Sequence, residues 1–356
     1  MLYKELVSLY EKLESTSSKL EKTAILASFI TGIPVEELEL AVNFACGIIF
    51  PPYTGIELGV ATQLTIRAIS RATGFSQEEV KREFAEVGDL GLVAESLVKR
   101  KKQISLFTKP LTLEDVHEKL MKIATASGEG SQEKKLDLLT SLLHFASPKE
   151  ARYLIRTVLG ELRIGVAEGI VRDAIARAFL VKEGTSKEEI EEAIGAVEYA
   201  YNVLCDFGEV ARIAREKGIK GLKGVKIVVG RPLKVMLAEK ANNIEEAMQA
   251  LGGKVAIEFK YDGMRAQIHK KGEKIWVFTR RLENVTMQFP DLVELARKNL
   301  KCKECVVEGE VWAISKKDGS PLPFQVLSQR IHRKYEIERM IEEIPIQVNL
   351  FDVLYL

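Results

Sequence analysis

Apolar side chains return every three or four positions over roughly the first two hundred residues, the period of helices that each bury one face. Leu2, Leu6, Leu9 and Leu13 begin the pattern, with Glu and Lys between them. Residues 23–30 continue it, and Gly32-Ile33-Pro34 marks a stop. Ser76-Gln77-Glu78-Glu79 and Thr112-Leu113-Glu114-Asp115 read as helix starts, with acids in the first turn where the helix dipole favours them. Ser147-Pro148-Lys149-Glu150 is another, because proline suits the first helical position. After Gly253 the period changes to two. Val255, Ile257 and Phe259 alternate with Ala256, Glu258 and Lys260, and Ala266 and Ile268 with Arg265, Gln267 and His269. Ile275-Trp276-Val277-Phe278, residues 306–314 and residues 346–356 are further strand-like runs. Helices first and strands later predict two domains of different class, 1–220 all-α and 221–356 α+β.

Between Ala211 and Lys240 stand nine basic residues, Arg212, Arg215, Lys217, Lys220, Lys223, Lys226, Arg231, Lys234 and Lys240, opposed only by Glu216 and Glu239. With Gly218, Gly221, Gly224 and Gly230 in the same stretch, it reads as a connection running beside a polyanion, or equally as a solvated linker. Charge is otherwise balanced, 52 basic against 51 acidic residues for a net +1, so no global polycation announces nucleic acid. The 46% hydrophobic content suits packed cores rather than disorder. No apolar run approaches the roughly 18 residues of a membrane helix, and Met1-Leu2-Tyr3-Lys4-Glu5-Leu6 is unlike a signal or transit peptide. Cys46, Cys205, Cys302 and Cys305 are too few and scattered for a disulfide scaffold. A soluble, cytoplasmic protein is expected.

The chemistry concentrates in Glu258-Phe259-Lys260-Tyr261-Asp262-Gly263-Met264-Arg265. Alternation puts Glu258 and Lys260 on one strand face, and Asp262-Gly263 is a turn signal that would fold the chain back into the strand carrying Arg265. Taken alone, the plainer reading is a hairpin with exposed charges. Val306-Val307-Glu308-Gly309-Glu310-Val311-Trp312 then places two carboxylates on one face of a strand otherwise fit for burial, which demands a cation or hydrogen bonds. A magnesium ion or a ribose hydroxyl would meet that demand. In residues 346–351 the Phe351 ring shares the face of Gln347 and Asn349, so it is either a stacking platform or packing for a loop. Cys302-Lys303-Glu304-Cys305 has zinc-finger spacing without a second pair, and a surface turn without zinc is expected. His117, His144, His269 and His332 form no cluster, and none is assigned a catalytic role.

Lys260-Tyr261-Asp262-Gly263-Met264-Arg265 matches the Lys-x-Asp-Gly-x-Arg motif of covalent nucleotidyltransferases, the superfamily of DNA ligases, RNA ligases and capping enzymes. Thr279-Arg280-Arg281-Leu282-Glu283-Asn284, Glu308-Gly309-Glu310-Val311-Trp312 and Leu350-Phe351-Asp352-Val353-Leu354-Tyr355 resemble the next motifs, in the family's order and at its approximate spacing. Upstream, Arg231-Pro232-Leu233-Lys234-Val235-Met236-Leu237-Ala238 resembles the start of the adenylation domain of DNA ligases. Gly160-Glu161-Leu162-Arg163-Ile164-Gly165-Val166-Ala167 and Gly88-Asp89-Leu90-Gly91-Leu92-Val93-Ala94 resemble the helical DNA-binding domain before it. The resemblance covers nearly the whole chain and is closest to archaeal ATP-dependent DNA ligases.

It implies an all-α DNA-binding domain, then part of an ATP-grasp-like adenylation domain with antiparallel sheets. Lys260 would attack the α-phosphate of ATP, expel pyrophosphate and carry AMP to the 5′-phosphate of a nick, which the 3′-hydroxyl then seals. The lysine must be uncharged to react, which positive charge from Arg265 or a metal favours. Glu258 would contact the adenine, Arg265 and Glu310 the ribose and its surroundings, Arg280 the phosphates, and Phe351 would stack on the purine. Mg2+ would offset phosphate charge, with Glu310 as its candidate ligand. Nicked double-stranded DNA is the implied substrate. Arg163 and Gly165 are candidates for close approach to a DNA minor groove, and the basic run Lys99, Arg100, Lys101 and Lys102 is either a grip on the nicked duplex or a solvated helix end. The loop Gly128-Glu129-Gly130-Ser131-Gln132 offers amides to phosphates. A sliding clamp is a possible partner, and full-length relatives act as monomers.

The family's later acidic and lysine-rich motifs and its carboxy-terminal OB-fold do not follow Leu356. The chain is therefore expected to be a truncated ligase product that self-adenylates weakly or not at all and cannot seal nicks alone. The competing readings are an RNA-end nucleotidyltransferase, namely an RNA ligase or capping enzyme, and a catalytically inactive DNA-binding fragment. The abundance of Glu, Lys and Arg is compatible with a thermophilic source.

Overall fold

The computed structural model describes residues 1–101, 110–331, 333 and 335–356, so Lys102 and His332 lie outside the described residues. Among these, sixteen α-helices and four strands form two compact units. The first comprises Met1–Pro51, Ile56–Tyr201 and Asp206–Val225, and the second Pro52–Gly55, Asn202–Cys205 and Lys226–Leu356.

The first unit is helical, as the apolar period predicts. The helix Tyr3–Glu14 buries Tyr3, Leu6, Leu9, Tyr10 and Leu13. The helix Lys19–Thr31 ends at Gly32. Capping is built as the sequence signals it. The Ser76 hydroxyl accepts from the Glu79 amide while the Glu79 carboxylate takes the Ser76 amide, and Thr112 with Asp115 and Ser147 with Glu150 repeat the exchange. Each such cap is worth about 1 kcal/mol. Helices Leu90–Lys99 and Pro148–Val158 pack closely, and a Cβ on Gly91 would stand 2.7 Å from the Arg152 carbonyl oxygen.

Residues 211–223 are not a connection. They belong to the helix Phe207–Lys223, which packs on Val35–Ala45 and buries Val210, Ala211, Ile213 and Ala214. Its cations meet partners of the same unit: Arg212 pairs with Glu39 and Glu216, Lys223 with Glu192, and Arg215 donates to the Ile33 carbonyl. Composition alone missed this because the apolar stripe runs beneath the charges. Gly218, at φ 60°, kinks the helix, and irregular chain begins only at Gly224.

The second unit is built on one antiparallel sheet. Its strands are β1 (Met264–Lys271), β2 (Lys274–Thr279), β3 (Glu304–Ala313) and β4 (Ile346–Tyr355), in spatial order β2-β1-β3-β4. One face carries Met264, Ala266, Ile268, Val307 and Val311 into a core completed by Leu292, Leu327 and Met340 from the helices Pro290–Asn299, Phe324–Ile331 and Ile337–Glu343. Fully buried Arg330 ties these helices down. Its guanidinium binds Asp291 at 2.6 and 2.9 Å and the Ile344 carbonyl at 3.0 Å, over the Phe289 ring.

The strand expected over residues 255–260 is absent, and with it the hairpin at Asp262-Gly263. Residues 254–263 are irregular, leaving Ile257 and Phe259 about nine-tenths exposed, at 92% and 87%. Alternation decides which side chains share a face, but a strand also needs a neighbour for its amides and carbonyls. Among the described residues neither the four strands nor the isolated bridges pair with this segment, so it has no neighbour.

Candidate active site

The polar face of the sheet carries the chemistry. Arg265, Gln267 and His269 alternate out of β1 opposite the core residues, and antiparallel register sets Arg265 across from Glu310 and Gln267 across from Glu308. Glu308 is buried, and its carboxylate receives both the Arg265 guanidinium and the Gln267 amide, the latter at 2.9 Å. That is the compensation a buried acid in a valine-rich strand requires.

The polar chain continues behind them. The Gln267 carbonyl oxygen accepts the Leu233 amide at 2.7 Å and stands 2.9 Å from His269 Nε2. His269 Nδ1 accepts the Gly230 amide at 3.1 Å, which assigns the ring proton to Nε2. Burial pushes the His269 imidazole down to about 4, so it stays neutral near pH 7. Residues 230–233 are thereby fastened to the sheet by side chains of β1.

Phe351 lies on the same face, its ring 5.3 Å from the Arg265 guanidinium carbon and half exposed. The pairing of β3 with β4 is irregular between Glu308 and Gly309, beside this ring. Lys260 is exposed, and its charge acts on Glu310. Burial raises the Glu310 carboxyl, and Asp262 adds to this. Lys260, Arg265 and a hydrogen bond from the Gly263 amide oppose the rise, which still prevails.

Three anchors hold the motif without a strand. Tyr261 stacks on Trp312 at 4.6 Å and 14°, the Asp262 carboxylate accepts the Phe324 amide at 3.3 Å, and Gly263 presses against β3. A Cβ on Gly263 would stand 2.3 Å from the Val311 carbonyl oxygen, and one on Gly309 2.5 Å from that of Asn349. Both glycines exist for close backbone approach.

Lys260, Arg265, Glu310 and Phe351 thus gather at one end of the sheet. Glu258 is exposed, and among the described residues no hydrogen bond or ion pair joins it to them. Arg280 follows β2 in a tight turn in which the Thr279 hydroxyl accepts the Arg281 amide at 3.2 Å, and it is exposed one residue beyond the Ala266–Thr279 pair. The sequence flags Glu308 only as a carboxylate needing compensation and gives Gln267 no role, although the alternation of both with core positions carries the signal. Cys305 is buried beside Cys302, and burial pushes its thiol up to about 12. Among the described residues no three His, Cys, Asp or Glu side chains are arranged to hold a metal, and no helix is long and apolar enough to cross a membrane.

In the helical unit, Arg163 and Gly165 both take left-handed backbone, at φ 57° and 63°, and alternate with buried Leu162 and Ile164. The Arg163 side chain is half exposed, 2.5 Å from Glu161 and 3.6 Å from Asp89. In the basic run Lys99 is exposed, whereas Arg100 binds both Glu83 oxygens at 2.7 and 2.8 Å and Lys101 reaches the His144 carbonyl at 3.3 Å. Gly128 and Gly130, both at positive φ, shape the exposed turn before the helix Ser131–Phe145.

Comparison with known proteins agrees with both units. The family described as DNA ligase N terminus matches residues 2–176, and that described as ATP dependent DNA ligase domain matches residues 235–356. A DNA ligase of Nanoarchaeum equitans is 47% identical over 356 residues, and one of Thermococcus fumicolans 45% identical over 355. A DNA ligase of Methanothermobacter thermautotrophicus is likewise 45% identical over 355 residues. Each alignment takes in 100% of this chain and 61% of the relative, so the chain spans about three-fifths of their length. With both family models in chain order and this identity from end to end, the chain belongs to the family of ATP-dependent DNA ligases.

Proposed function

We propose that these residues carry the nucleotide-transfer half of an ATP-dependent DNA ligase reaction, and that a protein of the relatives' full length seals nicks in duplex DNA. The observation that carries the reading is the convergence of Lys260, Arg265, Glu310 and Phe351 on one sheet end. Lys260 is the nucleophile: its amine attacks the α-phosphorus of ATP, the bond to pyrophosphate breaks, and AMP stays on the lysine until the 5′-phosphate of a nick accepts it.

The surrounding residues fit a purine nucleotide. Phe351 offers a half-exposed ring face for the base. Arg265, held by Glu308, and Glu310 across from it bind the ribose, Arg280 steers the phosphates, and Glu258 reads the adenine. Magnesium fits beside Glu310, because this ion is held by one or two carboxylates together with phosphates. When bound it offsets charge on the transferring group. Arg163, Gly165 and the exposed Lys99 contact the duplex together with Arg100 and Lys101, and Arg163, Arg100 and Lys101 each exchange an intramolecular partner for phosphate on binding. A sliding-clamp partner, a monomeric state and a cytoplasmic location belong to the same reading.

Incubation with α-labelled ATP and magnesium, followed by a denaturing gel, tests the assignment. A weak, acid-labile label that Lys260→Ala abolishes is expected. Label retained by Lys260→Ala removes Lys260 as the nucleophile.

A further inference from the structure

The loop that carries Arg163 is held from beneath by a buried lysine. Lys22, in the helix Lys19–Thr31, is only 7% exposed, and its ammonium donates to the carbonyls of Ile164 at 2.5 Å and Gly165 at 3.1 Å. Among the described residues no carboxylate pairs with it. A buried ammonium facing only carbonyl oxygens is a costly choice where a methionine would fill the space without losing hydration. What the lysine supplies is direction, because it holds two successive carbonyls inward.

The loop's backbone needs that hold. Arg163 is a non-glycine residue in left-handed conformation, a strained backbone for an L side chain, and such residues persist only where their surroundings over-determine them. Leu162 and Ile164 anchor the loop by burial on either side of Arg163, and the ammonium fixes the peptides that follow. Gly165 completes the fit. At φ 63° it favours glycine, and a Cβ there would lie 2.6 Å from the Lys22 nitrogen. Lysine at 22 and glycine at 165 are therefore two halves of one device.

We propose that Lys22 is a positioning residue for duplex binding, clamping residues 163–165 so that the Arg163 guanidinium, paired with Glu161 in the free protein, is presented to a DNA phosphate. This deepens the reading of the helical unit given above and rests on it. Lys22 touches no DNA itself. Its effect passes through Arg163, so the two residues must be non-additive.

The test is a double-mutant cycle on a fluorescein-labelled nicked duplex, read by anisotropy on the whole chain, with circular dichroism confirming the fold of each variant. Arg163→Ala is expected to weaken binding about tenfold and Lys22→Met by a similar factor, while adding Arg163→Ala to Lys22→Met costs little more. Lys22→Gln replaces Lys22→Met if the latter does not stay folded, and Gly165→Ala should reproduce the loss. If Lys22→Met lowers only the melting temperature, or Arg163→Ala keeps its full effect in that background, the lysine is structural and the proposal fails. If Arg163→Ala alone leaves binding unchanged, the duplex-contact reading of the loop is itself wrong, and the proposal goes with it.

Discussion

At the scale of single residues, the two glycines packed against neighbouring strands make the sharpest demand. Gly263 and Gly309 sit where backbone meets backbone, and the obstructing atoms are carbonyl oxygens that cannot swing away. Gly263→Ala or Gly309→Ala should each destabilise the sheet unit by about 2 kcal/mol or more, the cost of a forced backbone shift. Urea unfolding monitored at Trp276 and Trp312 would measure it, and a cost below about 0.5 kcal/mol would mean the sheet yields easily at these points. Neither glycine's reason could be read from sequence, since Asp262-Gly263 looks like a turn until the neighbouring strand is in place. Glu308 was legible as a problem, a carboxylate in an apolar strand, but its solution in Arg265 and Gln267 required the register of β1 with β3.

His269 belongs to the same scale. Its imidazole has an ordinary value of 6.5 and a folded one of about 4, because burial penalises the charged ring. Below pH 6.5 the unfolded chain therefore takes up a proton that the folded chain refuses. The histidine's contribution is intact above that pH and is lost as pH falls toward 4, a drop of roughly 3 kcal/mol in total. Comparing urea midpoints at pH 7 and pH 4.5 for the native chain and His269→Gln should show a flatter dependence in the variant. Equal slopes would assign the acid sensitivity to other groups.

Among the elements, helices were legible and the isolated strand was not, for one physical reason. A helix closes its hydrogen bonds within its own segment, so Ser76, Thr112 and Ser147 announce real starts from local sequence alone. A strand depends on what lies beside it, and residues 255–260 alternate correctly without finding a partner. Helix-to-helix fastening is likewise non-local. Arg156, in the helix Pro148–Val158, is buried and binds Asp89 at 2.8 and 3.1 Å and Glu14 at 3.1 and 3.2 Å. Burial alone would raise both carboxyls, but hydrogen bonds and charge from Arg156, aided by Tyr153 and Arg152 at Glu14 and by backbone amides at Asp89, hold them below the usual range. Their support is present above about pH 4 and lost as pH falls through the lowered values. Arg156→Met should cost about 3–5 kcal/mol at neutral pH, because it strands Asp89 in the interior. The difference from the native chain should shrink on acidification, and a difference that stays constant down to pH 3 would deny the network its electrostatic role.

For the molecule as a whole, the near-neutral charge constrains how the duplex binding proposed above would work. A net charge of +1 gives little long-range attraction, so binding must come from a few cations aimed at phosphates rather than from the average surface. Many of the basic residues are also spoken for, as Arg212, Lys223 and Arg100 show in their pairs with Glu39, Glu192 and Glu83. Each phosphate contact contributes about 0.9 to the slope of log affinity against log salt, and a small contact set predicts a slope of single digits. Arg163→Ala should reduce that slope by about 1 and weaken binding alike on duplexes of unrelated sequence, because phosphates carry no sequence information. Anisotropy titrations at several salt concentrations on two unrelated nicked duplexes would decide the point. A loss confined to one sequence would mean that Arg163 reads a base edge, and an unchanged slope with weaker binding would mean that its contact is not ionic.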